Sequence, residues 1–188
     1  MRFISPEKGN GVVATKPIPR GTIVWTLDPL DRIIPKEHKK QWKTPWLELL
    51  DTYTYRNNEG DYVLCWDIAK YVNHSFRANC FTTAYDFEIS VRDIAAGEEL
   101  TDDYGFLNLE EPFEAASEGT DRDTVYPDDL KRFHKEWDAL VAENFRFVHE
   151  VDQPLKKFMD RDQWEKALRI SRGEEEMDSL LHCYFEGD

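Results

Sequence analysis

Cysteine is scarce in this chain of 188 residues: Cys65, Cys80 and Cys183 are odd in number, widely spread and in no Cys-x-x-Cys pair. That pattern argues against a disulfide framework and against a zinc ribbon, and it fits reduced thiols. Long apolar runs are missing too. No stretch approaches the roughly 20 residues needed to span a bilayer, and the opening Met1-Arg2-Phe3-Ile4-Ser5-Pro6 has none of the apolar core of a secretion signal. A soluble, intracellular chain is expected, with no membrane contact and the cytoplasm as its compartment. Positive charge is also in short supply, with 24 Lys and Arg against 38 Asp and Glu for a formal charge of −14. Nucleic-acid backbones are held by cationic patches, so direct nucleic-acid binding is not expected. Such acidity keeps a small protein soluble, and it also draws in basic proteins. Nothing in it sets the oligomeric state.

What is present is enough apolar matter for a core, 40% hydrophobic with 13% aromatic. The expected class is α+β, with short strands followed by helices. Gly11-Val12-Val13-Ala14, Thr22-Ile23-Val24-Trp25 and Arg32-Ile33-Ile34 are short, β-branched and bracketed by Gly and Pro. Trp46 to Leu50 suits a helical turn or two. Tyr53-Thr54-Tyr55 and Tyr62 to Trp66 flank Asn57-Asn58-Glu59-Gly60-Asp61, a hairpin signal. Phe87, Ile89 and Val91 alternate onto one strand face. After about residue 108 the period changes. Pro127 suits a first helical position, and Leu130, Phe133, Trp137, Leu140, Val141 and Val148 form one stripe that predicts a long helix ending by Pro154. Asp160-Arg161-Asp162-Gln163 resembles a capping box, and Trp164, Leu168, Met177, Leu181 and Tyr184 continue a helical pattern that Gly173 would divide. The acidic, small-residue stretch from Glu110 to Asp123 is a linker candidate. The expected organisation is therefore residues 1–108 as one unit and 109–188 as a helical extension.

Three segments carry chemistry. Lys8-Gly9-Asn10-Gly11 turns into a strand, which by itself is weak evidence, and it lacks the third glycine and the helix of a dinucleotide fingerprint. The others are Asn73-His74-Ser75-Phe76-Arg77-Ala78-Asn79 and Gly97-Glu98-Glu99-Leu100-Thr101-Asp102-Asp103-Tyr104-Gly105. Neighbours in a strand point to opposite faces, so neither Glu98-Glu99 nor Asp102-Asp103 reads as a pair sharing a proton or a metal. Together, and in this order, the three segments resemble the signatures of the SET-domain protein-lysine methyltransferase family over about residues 3 to 108.

The resemblance implies a β-rich SET fold in which the two later motifs converge like a knot. It implies S-adenosyl-L-methionine as cofactor and the lysine amine of a basic protein, histone-like or ribosomal, as substrate. Lys8, Gly9, Asn10 and Gly11 would line the cofactor site with backbone groups. Asn73 and His74 would fix the cofactor's amino-acid and adenine ends, Lys70 would meet its carboxylate, and Asn79 would tie the loop. Tyr104 would aim its hydroxyl at the methyl-transfer centre as the catalytic residue.

Two departures follow. The family has Tyr or Phe where this chain has Asp102, on the same strand face as Tyr104. A carboxylate about 5 Å from the amine would favour ammonium by roughly 3 kcal/mol at an effective dielectric near 20. Asp102 must then turn away, be neutralised, or alter activity, and the number of methyls added stays open. Cys183 is the only cysteine after the motifs, so no cysteine-rich zinc segment closes the substrate channel, and no metal is expected. Phe106, Phe113, Tyr126 and Trp164 are candidate channel walls in its place. A catalytically silent SET-like binding module and a small-amine methyltransferase are the competing readings.

Overall fold

The computed structural model describes residues 1–187. The strands are short: β1 (Arg2–Ser5), β2 (Gly9–Gly11), β3 (Ile23–Thr26), β4 (Arg32–Ile34), β5 (Thr54–Arg56), β6 (Tyr62–Leu64), β7 (Asn73–His74), β8 (Cys80–Thr82), β9 (Phe87–Ser90), β10 (Thr101–Asp102), β11 (Phe113–Glu114) and β12 (Thr124–Val125). The α-helices are α1 (Trp46–Tyr53), α2 (Asp129–Phe145) and α3 (Arg161–Ser171). The strands form two antiparallel sheets ordered β3-β9-β8 and β4-β6-β5, and the pairs β1-β2, β7-β10 and β11-β12. This is the mixed α+β architecture expected, with small sheets first and helices last.

Alternation builds the centre. Phe87 and Ile89 of β9 are fully buried and Val91 nearly so, while Glu88 between them faces the opposite side. Against their face pack Leu130, Trp137, Val141 and Phe145 of α2, together with Phe81, Phe106, Ala167, Ile170 and Leu180, so strands and tail share one core. Burying each large side chain here contributes roughly 1.5–3 kcal/mol. The α2 stripe is the predicted one, but the helix is shorter than its pattern. It ends at Phe145, and Val148 reaches the same core from a following turn, its N–H bonded to the Phe145 carbonyl. Helix α2 begins at Asp129, two residues after Pro127, and the Asp129 carboxylate accepts from the Tyr126 N–H.

Three other expectations need correction. Asp160 stands at the N-cap of α3, but its side chain accepts no capping bond, and Gln163 donates instead to the Tyr85 carbonyl at 2.7 Å. The capping box is thus given up for a tertiary bond. Beyond Gly173 (φ 73°) the described residues form only a short 3-10 turn, Leu180–Cys183, rather than a second helix. The linker candidate contains a strand, because β11 pairs with β12 across it.

One side chain joins tail to sheet. Gln153 accepts the Ile23 N–H at 2.8 Å and donates to the carbonyls of Gly21 and Val148, both at 2.9 Å. Gly21 (φ 79°) has no room for a Cβ, which would lie 2.7 Å from Cβ of Phe147.

Candidate functional site

The parallel pairing of β7 with β10 sets Thr101 opposite Asn73 and Asp102 opposite His74. Asn79, almost wholly buried, holds this crossing. Its Nδ2 donates to the Glu99 carbonyl at 2.8 Å and its Oδ1 accepts from the Thr101 N–H at 2.9 Å. That is the tying role expected of it. Glu98 and Glu99 do part company as alternation requires, Glu98 pairing with Arg92 and Glu99 with Asn73.

The glycine turn joins the crossing through Asn73. Its Nδ2 lies 3.3 Å from the Asn10 carbonyl and 2.7 Å from Oε1 of Glu99, while its Oδ1 accepts no hydrogen bond among the described residues. A Cβ on Gly11 would sit 2.4 Å from that Glu99 oxygen, so only glycine permits the approach. Gly9 (φ 70°) has open space where a Cβ would project. The Lys8 ammonium lies 3.4 Å from the His74 carbonyl and 3.8 Å from Glu118. Lys70 is placed differently. Its ammonium is held by the carbonyls of Cys65, Trp66 and Asp67, and no hydrogen bond or ion pair joins it to the turn or to Asn73.

His74 accepts the Tyr104 N–H on Nδ1 at 3.2 Å, which assigns the ring proton to Nε2. Burial holds the ring's pKa down, so it is neutral, and Nε2 is buried without a partner. It acts as a polar strut under Tyr104 rather than as a base. Tyr104 donates its hydroxyl to the Val72 carbonyl at 2.8 Å, and burial pushes its phenol well above the ordinary range. The chain folds so that one tyrosine is gripped at both its N–H and its O–H by the Val72–His74 segment.

Two cavities share a wall, and Tyr104 lines one of them. One, of about 110 Å³, is lined by Tyr104, Trp25, Tyr53, Tyr55, Leu107 and Leu109, among others. The second, of about 240 Å³, runs along Val12 to Thr15. Trp25, Ala69, Val72, Glu88 and Asp102 belong to both linings, so they form the partition. Asp102 does not turn away from the centre. It is nine-tenths buried, Oδ1 has no hydrogen-bond partner, and burial next to Glu88 pushes its carboxyl well above the usual range. Glu88 touches the cavities but is otherwise enclosed by protein, and burial together with the charge of Asp67 pushes it up to about 7.

The walls differ from those expected. Phe106 lies in the core against Phe81 and Trp137, Trp164 packs on the core with Lys156 over its ring, and Tyr126 is an exposed ring under Arg132. Phe113 alone of the four touches the site, its ring 5.8 Å from those of both His74 and Tyr104. Trp25, Tyr53 and Tyr55 went unpredicted. No sequence signal joined them, because Tyr53 ends α1 while Tyr55 and Trp25 lie on strands of different sheets.

The segment after residue 108 covers the motifs. Ser75 donates to Glu118 at 2.5 Å, and Arg77 donates to the Glu118 carbonyl at 2.7 Å. Arg122 pairs with Asp103, and with Asp129 at 2.7 Å, both carboxylates being almost fully buried. Its guanidinium lies over the rings of Phe76, Phe133 and Trp137. Arg122 thereby fastens the residue before Tyr104 to helix α2, a role sequence reasoning missed.

Among the described residues no helix is long and apolar enough to cross a membrane. Comparison with curated proteins gives no match. Among solved structures, the chain is similar to "ctPRC2 in an autoinhibited conformation bound to S-adenosylmethionine", at 16% identity and a TM-score of 0.41 over 90% of this chain. It spans 27% of that chain's length. A sequence model of the SET domain matches residues 9–105, a little over half of the 188. The chain belongs to the SET domain family, a family of S-adenosylmethionine-dependent methyltransferases.

Proposed function

We propose that this chain transfers a methyl group from S-adenosylmethionine to lysine side chains of a basic protein, with Tyr104 as the catalytic residue. The observation that carries the reading is the double grip on Tyr104, which fixes a buried phenol at the wall of an aromatic cavity.

The residues present fit the cofactor. Gly9 has open space over it, the Oδ1 of Asn73 is unused, and the ammonium of Lys8 lies 3.4 Å from the His74 carbonyl, groups that suit parts of a zwitterionic sulfonium with a purine. Lys8, Gly9, Asn10, Gly11, Asn73 and His74 would hold it, and Phe113 beside His74 offers a ring face to the purine. Lys70 would reach it only by leaving its three carbonyls. When bound, the cofactor supplies an electrophilic methyl on a positively charged sulfur.

The chain's own residues must then present a neutral amine. A free lysine at pH 7 is neutral about once in 2,500, a handicap on the order of 4–5 kcal/mol. The cavity of Trp25, Tyr53, Tyr55 and Tyr104 strips water from the amine and so lowers its pKa. Tyr104 and the Val72 carbonyl orient it, and held alignment removes much of the bimolecular entropy loss. The objection raised by Asp102 weakens, because its burial favours the uncharged acid. The acidic surface, −14 overall, favours a basic partner such as a histone-like or ribosomal protein.

Radiolabelled methyl transfer to a mixture of basic proteins tests the reading, with cofactor binding followed by calorimetry. Tyr104→Phe should keep cofactor affinity within about twofold and lower transfer at least 100-fold, the scale of a lost positioning group. Wild-type protein that binds cofactor and methylates nothing would point to the silent binding module instead.

A further inference from the structure

We propose that Glu88 and Asp102 act as one proton-accepting unit in the partition between the two cavities, taking the proton from a substrate ammonium in the aromatic cavity and passing it to water in the larger one. The inference rests on the amine-methylating function proposed above. It arises from placement. Of the residues common to both linings, these two alone have ionisable side chains. Strand alternation in β9 turns Glu88 away from the Phe87–Ile89 core and into the partition, and β10 brings Asp102 to it beside the motif that carries Tyr104. Oδ1 of Asp102 is buried with no hydrogen-bond partner among the described residues.

Burial and the charge of Glu88 hold the Asp102 carboxyl well above the usual range, so it keeps its proton, while Glu88, pushed up to about 7 by burial and the charge of Asp67, carries the titration of the unit. The surrounding groups leave that titration to the pair. Tyr55 from β5, Cys65 after β6, Cys80 from β8 and Tyr104 are all pushed upward by burial and are uncharged at pH 7. Asp67 and Asp103 add negative potential, though Asp103 is paired with Arg122. Lys70 contributes the nearby cation and is held by carbonyls. Asp51 lines the outer part of the aromatic cavity.

An ammonium entering that cavity meets the one negative charge of the unit. The N–H bond breaks, its electron pair stays on nitrogen, and an O–H bond forms on the carboxylate. Both partners become neutral, which is the outcome a low dielectric favours, since desolvation raises the acid and lowers the amine. The unit then loses its extra proton to water in the second cavity and is reset.

The direct test needs no methyl transfer. Butylammonium chloride is titrated into the protein by calorimetry at pH 6 and pH 8. Wild-type affinity should rise at least fivefold between them, as the unit gains its charge, while Glu88→Gln, nearly isosteric, should show less than a twofold change. Equal wild-type affinity at the two pH values overturns the inference. The second arm is the single-turnover pH profile on basic protein. Glu88→Gln should lose about 10- to 100-fold at pH 7, the lower part of the range for general-base catalysis, and recover most of it by pH 9.5, where the amine deprotonates unaided. Overlapping profiles for wild type and variant also overturn it, and they leave the methyltransferase reading standing. A pH-dependent butylammonium site in a protein that transfers no methyl supports the acidic amine site and sinks the methyltransferase reading alone.

Discussion

Asp102 and Asp103 are neighbours in sequence, both buried, and they have opposite fates. Asp103 faces helix α2 and is answered by Arg122, which also satisfies Asp129. Asp102 faces the cavities, has no cation paired with it among the described residues, and is driven toward its uncharged form by burial and by Glu88. One residue of strand alternation thus separates an ion-paired brace from a proton-holding pair. A buried charge with a partner fixes structure, and a buried acid without one is free to take part in chemistry.

The comparison can be broken first at Arg122. Arg122→Ala should lower stability by about 3–5 kcal/mol, because it strands two buried carboxylates. Urea denaturation would show it, and a loss below about 1 kcal/mol would mean the brace is dispensable. The acid pair should behave in the reverse sense. Glu88 has a folded-state pKa of about 7 against an unfolded value near 4.5, so the native state binds more protons between those values. Stability from this group is present below about pH 4.5, falls as pH rises toward 7, and stays lost above it. Glu88→Gln should therefore stabilise the protein by about 1–3 kcal/mol at pH 8 and far less at pH 4.5. A variant less stable than wild type at pH 8 would show that the carboxylate has an ionic partner. At the small end stands Arg161–Glu165, an exposed i, i+4 pair on α3. Replacing both by Gln should leave the urea midpoint unchanged within error, since exposed pairs contribute little.

Much of the site was legible because its chemistry is local in sequence. Gly9 to Gly11, Asn73-His74 and Tyr104 announce themselves as motifs, and the fold brings them within hydrogen-bonding range through the β7–β10 crossing. Asp102 stood out because an acid occupied an aromatic's place. The cavity walls were hidden, since Trp25 and Tyr55 come from different sheets and meet edge to face at 5.9 Å only after those sheets pack. Glu88 was hidden for another reason. In an alternating strand the polar residue is read as solvent-facing, but here that face closes on two cavities. Arg122 sat in a stretch whose acidity and small residues read as a linker. The α2 stripe was read correctly as a face and too generously as a length, because turns also deliver side chains to a core.

Gln153 has a consequence for how this protein behaves in a crowd. Strand β3 is the outer member of its sheet, and its Ile23 N–H and the neighbouring Gly21 carbonyl are the kind of unpaired backbone groups onto which a foreign strand can add. The carboxamide of Gln153 carries the same acceptor and donor as a peptide bond, so it occupies that docking strip as a one-residue imitation of another strand. A protein that lost this plug would keep its motifs and its cavities and become prone to sticking to its own copies.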